Sequence, residues 1–118
     1  MCKTLSGVDV PLLTITNFEK EHSKKYVVIS ARVHPGETPA SWKLEGLIRW
    51  LIGSSTKARF LRDRLVFKIV PMLNPDGVIM GNYRTSFSGN DLNRMYQNPD
   101  SRLHPTVTNL KRVINESC

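Results

Sequence analysis

The 118-residue sequence predicts an α/β fold with a mixed, largely parallel sheet flanked by helices. Two apolar runs, at 26–33 and 64–73, have the β-branched content that is typical of strands. Between these runs, and again after the second, apolar residues recur at helical spacing. Strands that alternate with helices are joined by right-handed crossovers, which place the helices against the faces of the sheet.

The first half of the chain predicts two strands and a helix. A turn at Gly7 precedes a short strand at 12–16, and a charged loop at 19–25 leads into the strand at 26–33. Thr38 and Pro39 then indicate the start of a helix that runs to Ile52, with Gly53 as its C-cap. The apolar side of this helix is predicted from Trp42, Leu44, Leu47, Ile48 and Leu51.

The second half predicts a central strand between helices. A short helix at 56–64 should bury Phe60 and Leu61, and the run at 64–73 is apolar enough to be a central strand. Residues 74–77 have the composition of a turn, and residues 81–101 are predicted to be irregular. A closing helix runs from Pro105 to about Glu116, and its apolar side is formed by Leu110, Val113 and Ile114.

Composition narrows the class of protein. Hydrophobic content of 40% and charged content of 23% are those of a globular chain, and no apolar run approaches the length of about 18 residues that a membrane span needs. Neither a secretory signal nor a disulfide framework is visible, so free thiols and a cytoplasmic location are expected. The net charge of +7 favours acidic partners, but no base-reading element accompanies it, so no nucleic acid is expected.

His34 and Glu37 are candidate metal ligands at the end of the strand at 26–33. Imidazole nitrogen and carboxylate oxygen are both zinc ligands, and a spacing of three residues across a turn lets them point at one ion. A surface turn is the ordinary alternative for such a pair. Asn74 follows the next predicted strand, and ligands of open α/β sheets bind beyond the carboxyl ends of the strands.

A second polar cluster follows, in which Arg84, Asn93 and Arg94 are the candidate residues. Each can be explained without function, as a surface basic residue or part of a turn or cap. A guanidinium nevertheless presents a rigid fork of donors that suits a carboxylate or a developing oxyanion. Beside a zinc site, two arginines and an asparagine could hold the terminal carboxylate of a peptide and polarise the adjacent carbonyl.

Five motifs occur in a fixed order: HPGE at 34–37, NPDG at 74–77, GNYR at 81–84, DLNR at 91–94 and NPDSRLHP at 98–105. Together they resemble the zinc metallocarboxypeptidase family, in its cytosolic carboxypeptidase (tubulin deglutamylase-like) branch. The resemblance implies Zn²⁺ held by His34 and Glu37, an oxyanion contact from Arg84, and binding of the substrate's C-terminal carboxylate by Asn93 and Arg94. It also implies removal of C-terminal residues, above all Glu, from acidic protein tails such as those of tubulin.

The family's third zinc ligand, a histidine, and its general base, a glutamate, are expected further along than Cys118. Residues 1–118 are therefore interpreted as the N-terminal half of a catalytic domain, which could be inactive alone. His22 and His104 are interpreted as surface histidines rather than as substitute ligands. Two other functions stay open: a non-catalytic binder of acidic C-terminal tails and, on charge alone, a nucleic-acid-binding module.

Overall fold

The computed structural model describes residues 1–20 and 23–117. Four helices, one 3₁₀-helix and five strands are described in that part of the chain. In chain order they are β1 (Cys2–Lys3), β2 (Asp9–Val10), β3 (Leu13–Ile15), β4 (Lys25–Ser30), α1 (Pro39–Ile52), α2 (Thr56–Arg64), β5 (Leu65–Val70), α3 (Pro75–Ile79), the 3₁₀-helix Leu92–Arg94, and α4 (Pro105–Glu116).

The predicted mixed sheet is confirmed, with β5 in its centre. β5 pairs in parallel with β4 along its whole length, from Lys25 opposite Leu65 to Ser30 opposite Val70, and antiparallel with the shorter β3. β4 ends at Ser30, three residues before the predicted end of the strand. Arg32, with a φ of 56°, turns the chain out of the sheet at that point.

Helices α1 and α2 cover one face of the sheet. Leu44 and Leu51 of α1 pack with Phe67 and Ile69 of β5. The prediction that Trp42 joins this apolar side is wrong, because its side chain is 72% exposed. Successive helical residues are rotated by about 100°, so Trp42 lies about 200° from Leu44, on the opposite side of the helix.

The same geometry corrects the prediction for α2. Its buried residue is Ala58, whereas Phe60, two positions later, is half-exposed. The ring of Phe60 lies under the guanidinium of Arg64 instead, with 3.7 Å from the guanidinium carbon to the ring centroid. Leu61 is partly buried in the core between α2 and the sheet, as predicted.

The other face of the sheet is covered by the β1–β2 hairpin and α4. Val10, Val70, Leu73 and Leu110 form the core there. Burial of Leu110 and Val113 is confirmed, but Ile114 is partly exposed. Val107, one turn before Leu110, is buried as well.

Three further observations concern residues 74–77, the cysteines and the length of the helices. Residues 74–77 are buried, and instead of the turn that their composition indicated, Asn74 caps the short helix α3, which Pro75 begins. Cys2 is a free thiol, and Cys118 lies outside the described residues. None of the helices in residues 1–20 and 23–117 has the length and apolar character needed to cross a membrane.

Candidate metal centre

The loop between β4 and α1 contains both predicted metal ligands, and the segment after β5 fixes its start. The backbone N–H of Leu73 donates to the carbonyl of Ala31 at 2.8 Å, and that of Asn74 donates to the carbonyl of Arg32 at 3.2 Å. The side-chain amide of Asn74 donates to the carbonyl of Val33, also at 3.2 Å. Three consecutive carbonyls of the loop are therefore held by the chain that leaves the central strand.

Two glycines allow the neighbouring motifs to pack directly on this loop. A Cβ atom at Gly77 would lie 2.3 Å from Cγ of Pro35, and one at Gly36 would lie 2.3 Å from Cδ2 of Tyr83. The N–H of Gly36 also donates to the carbonyl of Tyr83 at 2.8 Å. The motifs at 34–37, 74–77 and 81–84 thus form one packed unit.

His34 is buried in this loop, with 7% of its surface exposed. Its Nδ1 atom is 3.0 Å from Oε1 of Glu37, and its Nε2 atom is 3.0 Å from Oδ1 of Asp91. The Glu37 side chain is 54% exposed, whereas that of Asp91 is 16% exposed. The ring therefore presents Nδ1 towards solvent and Nε2 towards the interior.

This arrangement fits a cation between His34 and Glu37. A neutral imidazole has one N–H, and ionised carboxylates only accept, so a proton donated to Asp91 leaves the Nδ1 lone pair facing a Glu37 oxygen. Two ligands at zinc's usual distances lie about 3.4 Å apart in a tetrahedral site, close to the observed 3.0 Å. Metal-binding histidines also commonly donate their other N–H to a carboxylate, as His34 is placed to do.

Asp91 was not predicted, yet it joins the two halves of the site. Besides His34, it accepts the Nε–H of Arg84 at 2.9 Å and the backbone N–H of Asn93 at 2.9 Å. Burial raises the pKa of Asp91, but the hydrogen bonds from Asn93, His34 and Arg84 outweigh it, so the pKa lies below its usual value. The carboxylate is therefore ionised and suited to orient both side chains. The feature of the sequence that could have identified Asp91 as a site residue is its position at the start of the 91–94 motif.

The structure places the side chain of Arg84 next to Asp91, and Asn93 and Arg94 follow Asp91 in the same turn. The Arg84 side chain is half-exposed, and its terminal Nη groups have no hydrogen-bond partner in the part of the chain described. Asn93 and Arg94 are exposed in the 3₁₀-helix, where the N–H of Arg94 donates to the carbonyl of Asp91 at 3.0 Å. The roles of these residues and of His34 and Glu37 stay predictions, although their positions are compatible with one site.

His104 is not the surface residue that the sequence predicted. It is 5% exposed, its Nε2 atom lies 2.9 Å from Nδ2 of Asn90, and its Nδ1 atom accepts the N–H of Asp100 at 3.1 Å. Both ring nitrogens are thus used to connect the irregular segment to the start of α4. His22, the other histidine considered, lies outside the described residues.

Within residues 1–20 and 23–117, no group of three or more His, Cys, Asp or Glu side chains is arranged to hold a metal ion. His34 and Glu37 therefore stay the two candidate ligands, and the structure adds no third from those residues. The residues present fit zinc as part of its ligand set.

Comparison with known proteins defines the class. The zinc carboxypeptidase family matches residues 1–112 of the chain. A metallo-carboxypeptidase from Burkholderia cenocepacia superposes on 98% of the chain with a TM-score of 0.89 and 40% identity. One from Pseudomonas aeruginosa, in complex with (2-guanidinoethylmercapto)succinic acid, superposes with a TM-score of 0.90 and 32% identity. The chain belongs to the zinc carboxypeptidase family, and its fold and Zn²⁺ cofactor are those of that family.

Among curated proteins the similarity is to the cytosolic carboxypeptidases. Cytosolic carboxypeptidase 1 of Xenopus laevis is 50% identical over 97% of the chain, and cytosolic carboxypeptidase 4 of Homo sapiens is 46% identical over the same share. The chain spans about a tenth of the length of these relatives, and 32% and 30% of the Burkholderia and Pseudomonas chains. That residues 1–118 are half of a catalytic domain stays a prediction.

Proposed function

We propose that this chain carries part of the active site of a zinc metallocarboxypeptidase that removes C-terminal residues from acidic protein tails. The observation that supports this most directly is the placement of His34, with Nδ1 facing Glu37 and Nε2 on Asp91, both at 3.0 Å. A surface turn would not require a buried imidazole between two carboxylates. Bound zinc would supply an acidified water and polarise the scissile carbonyl.

The chain's own residues then divide the remaining work. Asp91 holds the imidazole of His34 through Nε2 and the guanidinium of Arg84 through Nε. The Nη groups of Arg84 are left for the carbonyl oxygen of a substrate, whose charge grows in the transition state. Asn93 and Arg94, exposed in the adjoining turn, bind the terminal carboxylate.

We assign this activity to Glu-rich tails, such as polyglutamylated tubulin tails, in the cytosol. The net charge of +7 and the exposed Arg84 and Arg94 favour an acidic substrate. The location follows from likeness to relatives that are named cytosolic carboxypeptidases.

The test uses a zinc-loaded catalytic domain that contains this chain together with the expected third zinc ligand and general base. It is incubated with a Glu-tailed peptide, and the products are followed by mass spectrometry. Stepwise loss of Glu, abolished by Glu37→Gln, is the expected result. Glu45→Gln is the matched control, because Glu45 is exposed on α1 and pairs with Arg49, and it should leave the activity unchanged. Equal activity in the Glu37→Gln variant would contradict the assignment.

A non-catalytic binder of acidic tails is the second candidate. It is favoured by the two-ligand set in residues 1–20 and 23–117, beside arginines that need no metal to bind a carboxylate. Peptide binding that survives chelation, weakens with Arg94→Ala and is unaffected by Arg102→Ala, without any hydrolysis, would establish this function. Arg102 is an exposed arginine in the turn before α4 and serves as the charge-matched control.

A further inference from the structure

Arg32 has an unusual backbone conformation two residues before the first predicted metal ligand. Its φ of 56° is the one positive φ at a non-glycine residue in the part of the chain described. Arginine has no preference for this left-handed region, which Gly and Asn adopt more readily. Strained backbone of this kind persists where surrounding contacts impose it, and it is found often at functional sites.

The side chain of Arg32 makes contacts that neither Gly nor Asn could provide. Its Nε–H donates to the carbonyl of Pro35 at 2.7 Å, inside the ligand loop. Its Nη1 donates to Oγ of Ser41 at 2.8 Å, in the first turn of α1. Its own carbonyl accepts the N–H of Asn74. One residue therefore ties together the loop, the helix after it and the segment after the central strand.

These contacts enclose both ligands. Along the chain, His34 comes between Arg32 and Pro35, whose carbonyl Arg32 binds. Glu37 comes between Pro35 and Ser41. The separation of His34 Nδ1 and Glu37 Oε1 depends on the path of the backbone between them. The guanidinium bonds that path at Pro35, between the two residues, and bonds Ser41 beyond it, and its donors are held in one rigid plane.

We propose that Arg32 is a positioning residue, which sets the geometry of His34 and Glu37 towards zinc without touching the metal. The inference rests on the zinc site proposed above. The proposed role also explains why this position is not Gly or Asn. The hydrogen bonds of the long Arg32 side chain are needed there, and they offset the energetic cost of a positive φ.

The main test is Arg32→Asn, which tolerates the left-handed conformation but removes the guanidinium. Zn²⁺ affinity is measured by competition with a chromophoric chelator, and ligand geometry by the visible absorption of Co²⁺ in the same site. The expected result is an affinity lower by about tenfold or more, as for other residues that orient metal ligands, with an altered Co²⁺ spectrum. Arg32→Lys keeps the charge but has a single donor group. Its Zn²⁺ affinity should therefore lie between that of Arg32→Asn and that of the unsubstituted chain. Arg49→Ala, an exposed arginine on α1, is the control.

A second measurement separates this inference from the zinc site itself. If the unsubstituted chain binds Zn²⁺ no better than its His34→Ala variant, the zinc site fails, and Arg32 is judged without metal by amide hydrogen exchange. The amides of Gly36 and Glu37 should then exchange at least tenfold faster in Arg32→Asn, while those of β5 are unchanged. Zn²⁺ affinity within twofold of the unsubstituted chain in both Arg32 variants, or unchanged loop exchange where zinc does not bind, would overturn the proposal.

Discussion

Gly77 packs against Pro35 in the loop between β4 and α1, which contains His34 and Glu37. Its replacement by alanine is the most direct test of this packing. An added Cβ would lie 2.3 Å from Cγ of Pro35 and 2.6 Å from the carbonyl oxygen of Thr85. The first contact is with a rigid ring inside the loop and the second is with backbone, so neither neighbour can rotate away. Gly77→Ala should therefore displace the loop or α3.

The expected cost follows from two opposing terms. Overpacking in a well-packed interior costs typically 1–3 kcal/mol, and two rigid contacts place this site near the upper end, at about 3 kcal/mol. Alanine in place of glycine within a helix returns about 0.5–1 kcal/mol. The net expectation is a loss of about 2 kcal/mol in the free energy of unfolding.

The chain contains two matched controls for this substitution. Gly46 lies in α1, where an added Cβ would have no atom within 4 Å apart from its chain neighbours and the adjacent helix backbone, so Gly46→Ala should stabilise by about 0.5–1 kcal/mol. Gly36→Ala would meet the ring of Tyr83, which is 75% exposed and can swing away, so it should cost less than Gly77→Ala. Urea denaturation of the three variants, followed by circular dichroism, gives the order directly. A Gly77→Ala variant as stable as Gly46→Ala would refute the packing argument.

Three further predictions test the site and the core. Asp91→Asn should lower Zn²⁺ affinity by about tenfold or more in a chelator competition, because His34 loses a charged acceptor; unchanged affinity would remove Asp91 from the site. His104→Ala should cost about 2–4 kcal/mol in urea denaturation, because the buried ring leaves a cavity and the backbone N–H of Asp100 loses its acceptor, yet leave Zn²⁺ affinity unchanged; a loss of zinc binding would count against its purely structural role. Leu51→Ala should cost about 2–5 kcal/mol and Trp42→Ala less than about 0.5 kcal/mol, and the reverse order would contradict the orientation of α1.

Local patterns in the sequence were sufficient to predict most elements. The bounds predicted for α1, α2 and α4 agree with the structure to within about one residue, because Pro39, Gly53 and Pro105 mark helix ends by their own backbone preferences. The residues that pack inward were predicted less well. Trp42 was assigned to the apolar side of α1, but it lies about 200° around the helix from Leu44 and is therefore exposed.

The candidate site shows the same division. His34 and Glu37 could be proposed from the sequence because they are three residues apart in one loop, and their spacing suffices to bring them together. Asp91 could not be assigned a partner, because its contact with His34 spans 57 residues and exists only once the irregular segment folds back over the loop. His104 was misjudged for a related reason: its burial results from contacts with the segment at 90–100.

The sequence by itself therefore determined the order of the longer strands and helices, the motifs that identify the family, and the two nearby candidate zinc ligands. These features depend on backbone preferences and on side chains close together along the chain. Only the tertiary structure decided that Asp91 connects His34 to Arg84, that the Arg32 side chain donates to Pro35 and Ser41 from a backbone of positive φ, and that residues 74–77 pack against the loop at 31–38. Such contacts join segments far apart in sequence, and their geometry is fixed by the packing of the whole sheet and its covering helices.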